Sequence, residues 1–184
     1  MSTASPASSV AVSGLSRLYA VRFVFALVWA GVVLAAADDI NTFVGTLLVL
    51  YPVYDLVAIA MDARLSDSPK HRSVLYFNLV VSAAAAIGLI VATTSGIPAV
   101  LRVWGAWAIV SGIAQLVVGL RRRAMGGQLP MIISGAISVL AGASFAAMAG
   151  KDNPSLSAVG GYALLGAIFF LVSSVLLRRS SRKA

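Results

Sequence analysis

The chain has 184 residues, of which 60% are hydrophobic and only 11% are charged, with a mean hydropathy of +0.96. A soluble domain carries about 25% charged residues, so this composition excludes a water-soluble globular protein and indicates an integral membrane protein. The net charge of +8 would suit nucleic acid, but the basic residues lie at the ends of apolar segments, so we expect no nucleic-acid partner.

Six apolar segments follow an uncharged N-terminal stretch. Residues 1–16 are rich in Ser, Ala, Thr and Pro, which predicts a disordered cytoplasmic tail. Each segment has about 20 residues, the length at which a helix crosses about 30 Å of hydrocarbon. Helices are predicted because lipid cannot satisfy an open backbone, and the alternation typical of a membrane barrel is missing. The predicted spans are 18–37, 42–61, 74–93, 99–120, 129–149 and 156–177.

The charges predict the topology of these spans. All but two of the 14 Lys and Arg residues, Arg102 and Lys151, fall on one side of the predicted membrane. The positive-inside rule then places both chain ends in the cytoplasm, with a membrane domain over 17–179 and a basic cytoplasmic tail over 180–184. The basic ends should contact the anionic lipids of the inner leaflet. Cleavage of the first segment as a signal peptide is the alternative, but its length favours a retained helix.

The spans pair into three predicted helical hairpins, 17–64, 72–123 and 128–179, in a compact bundle. Residues 54–57 in the first hairpin can be laid on 114–117 in the second, and each set is followed shortly by arginine. The repeat is weak, but it favours a triplicated hairpin unit in an all-α membrane fold.

Small residues recur every seven positions on three helices. At about 100° per residue, seven residues return to nearly the same face of a helix. Helices in lipid associate through close backbone approach, so these stripes predict packing inside the bundle. A homo-oligomer interface, or contact with a membrane partner, is the alternative. The glycines concerned are Gly105, Gly112, Gly119, Gly135 and Gly142.

Asp55 is the most informative residue because it lies inside an apolar span. A carboxylate at that depth costs roughly 2.5–3.5 kcal/mol on insertion scales, so it needs a partner or a proton. Arg22 lies at a matching depth in the first span, which predicts an Arg22–Asp55 ion pair that fixes the first hairpin. Breaking such a pair would leave one charge unpaired.

A protonatable site is the second interpretation of Asp55. Pro52, one turn earlier, removes a helical hydrogen bond and should bend the helix. Tyr51, Tyr54 and Gln115 could supply hydroxyl and amide partners, and the set would suit a proton or cation path.

Other motifs predict neither an enzyme nor a cofactor. The chain has no cysteine and one histidine, His71, which leaves no thiol chemistry, no disulfide and no His or Cys metal site. G-x-S-x-G and phosphate-binding motifs are also absent. Trp104 and Trp107, near the predicted outer end of the fourth span, are typical of interfacial anchors.

The chain resembles the HdeD-like family of small bacterial membrane proteins. The resemblance is carried by W-A-I-V-S-G-I-A-Q-L at 107–116, by three arginines at 121–123 and by the small-residue pattern over 129–142. It implies a six-helix, multi-pass protein of the bacterial inner membrane, non-enzymatic and associated with acid resistance or envelope stress. The first hairpin, with Pro52 and Asp55, departs from the family pattern. The alternatives are a small transporter or proton-conducting protein centred on Asp55, and an accessory subunit that packs through its glycine stripes.

Overall fold

The computed structural model describes residues 6–36, 39–65, 69–121 and 129–181. Over these residues the chain is helical and has no strand. Each helix contains a stretch long and apolar enough to cross a membrane, which confirms the predicted all-α fold with six membrane helices. The helices are α1 (Pro6–Ala35), α2 (Thr42–Leu65), α3 (Pro69–Thr93), α4 (Ile97–Arg121), α5 (Leu129–Met148) and α6 (Ser157–Ser181).

Proline marks the start of most of these helices. Its φ suits the first turn, where the missing N–H would have no partner within the helix. Residues Pro6, Pro69, Pro98 and Pro130 each lie at the first or second position of a helix. α1 therefore begins within 1–16, the stretch assigned above to a disordered tail. The α3–α4 turn is made by Gly96, whose φ of +92° suits a residue without a side chain.

The six helices form a closed ring. Each helix packs against its neighbours in the chain, and α6 packs against α1. The most extensive interfaces are α4–α5 and α1–α6, followed by α2–α3, whereas the interfaces α1–α2, α3–α4 and α5–α6 are smaller. Large and small interfaces thus alternate around the ring, as expected of a triplicated hairpin. Most of the packing, however, joins one predicted hairpin to the next.

The main hydrophobic core lies in one half of the ring, near the α1–α2, α3–α4 and α5–α6 connections. By charge, this is the predicted periplasmic half. All six helices contribute to it, including Val33, Leu48, Leu89, Trp104 and Phe145. The other half holds a smaller cluster, with Ile59, Ala63 and Leu75 packed between α2 and α3.

The outer face of the ring is apolar. Val80, Ile87 and Leu140 are each at least 65% exposed, and many other large aliphatic side chains are exposed as well. Such a surface is unfavourable in water but suits lipid tails. The structure therefore has the surface of a multi-pass membrane protein.

Glycines make the α4–α5 interface close. A Cβ placed on Gly112 would lie 2.7 Å from the carbonyl oxygen of Gly135, and one on Gly105 would lie 2.8 Å from that of Gly142. A Cβ on Gly119 would instead meet a side chain, at 2.7 Å from Cγ1 of Ile132. These faces are used inside the chain, so a homo-oligomer or a membrane partner would have to use another surface.

We expect Gly112→Leu to destabilise the protein by roughly 1–3 kcal/mol, because the new side chain must push α4 away from α5. Thermal unfolding in detergent measures the effect. Gly31→Leu is the matched control, since nothing lies within 4 Å of a Cβ at Gly31. Equal melting temperatures for the two variants would contradict the proposed role of the stripe.

Candidate functional site

An ion pair joins α1 and α2 in the interior of the ring. The Nη2 atom of Arg22 on α1 donates a hydrogen bond to Oδ1 of Asp55 on α2, and the two side chains are 12% and 16% exposed. In the predicted spans, Asp55 lies six residues, about 9 Å, from the cytoplasmic end of 42–61, and Arg22 lies four residues from the cytoplasmic end of 18–37. Both charges are therefore inside the apolar part of their helices, where a lipid bilayer solvates charge poorly.

The second oxygen of the carboxylate is also occupied. The Ser82 hydroxyl on α3 donates to Oδ2 of Asp55 at 2.9 Å, and Nε1 of Trp107 on α4 lies 3.3 Å from the Ser82 oxygen, to which it donates. Ser82 itself is only 1% exposed. One chain of hydrogen bonds thus joins four helices in the order Arg22, Asp55, Ser82, Trp107, and all its donors point toward the carboxylate charge.

Arg22 has a second contact on α6. Its guanidinium carbon lies 4.2 Å from the centre of the Phe170 ring, a distance typical of a cation–π interaction. Tyr19 packs against the same ring, with 6.1 Å between ring centres. The charged pair is consequently held by five helices, α1–α4 and α6.

A group of aromatic rings, here called the aromatic layer, lies beside the pair. Phe25 and Tyr54 are stacked with 3.7 Å between their centres. Tyr51 lies among the remaining rings, 4.6 Å from Trp29 and 5.4 Å from Trp104. The layer consists of Phe25, Trp29, Tyr51, Tyr54, Trp104 and Trp107.

Trp104 and Trp107 are not interfacial anchors, so that prediction is wrong. Trp104 is fully buried, and Trp107 donates to Ser82 in the interior. Residues three apart share a helix face, and the face of α4 that carries both tryptophans packs inward. Their position near a helix end suggested anchoring in the membrane interface, but the rotation of α4 turns both side chains toward the protein interior.

Only some of the predicted polar partners of Asp55 lie beside the ion pair. Tyr51 and Tyr54 adjoin the site through their rings, and no hydrogen bond joins either to Asp55 in the described structure. Oε1 of Gln115 is buried without a hydrogen-bond partner, so the structure does not join Gln115 to the pair. Pro52 is buried, and α2 continues through it as one helix rather than ending there.

The amino-acid sequence alone does not point to the other residues at the site, which are Ser82, Phe170, Tyr19 and Phe25. Phe25 lies one helical turn after Arg22, which is a weak signal that it shares a face with the charge. A serine or phenylalanine in an apolar span is too common to single out, and only the ring arrangement brings α3 and α6 to this point.

Other polar contacts lie away from the pair, toward the predicted cytoplasmic half. The Ser16 and Ser174 hydroxyls cross between α1 and α6, with Ser174 donating to the Ser16 carbonyl at 2.9 Å. Nε of Arg178 donates to the Ser16 hydroxyl at 3.1 Å. These small side chains allow α1 and α6 to approach closely, which is a packing role.

In the described part of the chain, the ion pair belongs neither to a cluster of metal ligands nor to the surface groove. Among the described residues, no three His, Cys, Asp or Glu side chains come together as metal ligands. A groove of about 630 Å³ on the α2–α3 surface is lined by Gly45, Thr46 and Thr93, among others, but not by Asp55 or Arg22.

The fold and the site define a six-helix integral membrane protein with a charged pair near its centre. A scan against family models, a search of curated proteins and a search of solved structures each found no match to the chain. The resemblance to HdeD-like proteins therefore depends on the sequence patterns described above.

We expect Asp55→Asn and Arg22→Gln each to lower the free energy of unfolding by roughly 3–5 kcal/mol, because each leaves one unpaired charge in the interior. The double variant should lose clearly less than the sum of the two single losses. Unfolding in detergent measures all three, with Ser82→Ala as a milder change at the same carboxylate. Strictly additive losses would show that the two charges do not interact.

Proposed function

We propose that the protein is a non-enzymatic protein of the bacterial inner membrane that contributes to acid resistance or the envelope stress response. The resemblance to the HdeD-like family implies this role. The observation that carries the proposal is the Arg22–Asp55 pair, because it places a titratable carboxylate where five helices meet.

The position of the pair supports a response to acid. The pair is one of several links between α1 and α2, together with the Phe25–Tyr54 stack and the hydrogen bond that Nε1 of Trp29 donates to the Leu47 carbonyl. Protonation of Asp55 would remove the counter-charge of Arg22, and an unpaired buried charge is strongly destabilising. Acid that reached this site would therefore change how α1 sits against α2.

Survival of acid shock tests the proposed role. We expect a deletion strain of the source bacterium to survive acid shock less well than its parent, and the intact gene to restore survival. Asp55→Asn should fail to restore it, because the titratable group is gone. Val57→Ala is the matched control on the same helix, since Val57 is 51% exposed on the outer face. Normal survival of the deletion strain would refute an acid-resistance role.

A proton-conducting protein is the second candidate function. It is favoured by a carboxylate that lies inside an apolar helix and is still 16% exposed. The residues linked to it by hydrogen bonds, Arg22, Ser82 and Trp107, would then form part of a proton path.

Proteoliposomes distinguish the two candidates. After a pH jump, a pH-sensitive dye inside the vesicles should equilibrate faster with the intact protein than in protein-free vesicles if protons are conducted. Asp55→Asn should abolish that difference while the purified variant remains folded. Equal rates for intact protein, variant and empty vesicles would exclude conduction and leave the acid-resistance proposal standing.

A further inference from the structure

Each ion of the central pair retains another contact if the pair separates. Oδ2 of Asp55 accepts a hydrogen bond from Ser82 at 2.9 Å, independently of Arg22. The Arg22 guanidinium lies over the Phe170 ring at 4.2 Å, independently of Asp55. Separating a pair in which each ion has only one contact would cost more free energy, because here Ser82 still contacts Asp55 and Phe170 still contacts Arg22 after separation.

The surroundings of the carboxylate have the chemistry of a cation site. The stacked rings of Phe25 and Tyr54 belong to residues that neighbour the pair on α1 and α2. Tyr51 and Trp107 belong to the same aromatic layer, with 6.1 Å between their ring centres. Aromatic faces carry negative potential, and together with a carboxylate they recognise organic cations. Arg22, whose guanidinium lies over the separate ring of Phe170, now pairs with that carboxylate.

The pair is not sealed within the protein, because the side chains of Arg22 and Asp55 are 12% and 16% exposed. A ligand that dissolves in the bilayer would have to reach the carboxylate through this exposed part. An anion is disfavoured, because it would have to displace the carboxylate from Arg22 and lie against the negative faces of the rings.

We propose that the Asp55 site binds a lipophilic organic cation, which replaces Arg22 at the carboxylate and packs against the Phe25–Tyr54 stack. Arg22 then stays on the Phe170 ring. This binding activity goes beyond the role in acid resistance and does not depend on it.

Calorimetric titration of the purified full chain in detergent tests the proposal, with tetraphenylphosphonium as the probe. Triphenylphosphine oxide, which is similar in shape but uncharged, is the control compound. We expect saturable binding of the cation only, and loss of that binding in Asp55→Asn. Absence of saturable binding to the intact chain, equal binding of the neutral compound, or unchanged binding to Asp55→Asn would each overturn the proposal.

Arg22→Gln tests the exchange of partners. Removing the resident cation should tighten the apparent affinity for tetraphenylphosphonium by about tenfold, because the carboxylate no longer has to be vacated. A purely structural role of the pair predicts no gain. Unchanged or weaker binding in a folded Arg22→Gln variant would overturn the exchange.

Aromatic variants provide a test that leaves both charges in place. Phe25→Leu should weaken binding about fivefold, the effect of losing one cation–π face. Phe77→Leu is the matched control, because Phe77 is 48% exposed on α3 and belongs to neither the pair nor the aromatic layer. Equal affinities of the two leucine variants would contradict the proposed position of the ligand.

Discussion

A carboxylate in the middle of a membrane helix must find its partners within the protein, because hydrocarbon offers none. In this chain Asp55 obtains them from two other helices, Arg22 on α1 and Ser82 on α3. Trp107 and Phe170 extend the contacts to α4 and α6. One side chain thus constrains the positions of most of the ring.

The two halves of the ring are held together differently. In the predicted periplasmic half, all six helices share an apolar core that includes Trp104 and Phe145. In the other half the contacts are between pairs of helices, such as Ile59 with Leu75, and the central pair lies between the two regions. Glycine contacts then set the spacing of α4 and α5. A change at the pair would act first on α1 and α2, the helices that carry the two charges.

The proposed functions share one physical basis, the limited solvation of charge in the interior. Acid would act by neutralising Asp55, conduction would use it as a proton carrier, and an organic cation would replace Arg22 beside it. These processes differ in what reaches the carboxylate. In the last case the hydrogen bond from Ser82 and the ring of Phe170 would each retain one of the two separated charges.

Length, hydropathy and charge placement by themselves determined the six spans and the all-α class, because a bilayer imposes one length and one kind of backbone on every segment. They also predicted the Arg22–Asp55 pair, since buried opposite charges at equal depth have few other partners. Only the tertiary structure decided how each helix is rotated and which helices are neighbours in the ring. These rotations place Trp107 in the interior, bring Ser82 and Phe170 to the pair and leave Gln115 apart from it. The sequence could not predict them, because a helix that is apolar on all sides carries little signal for the face that packs inward.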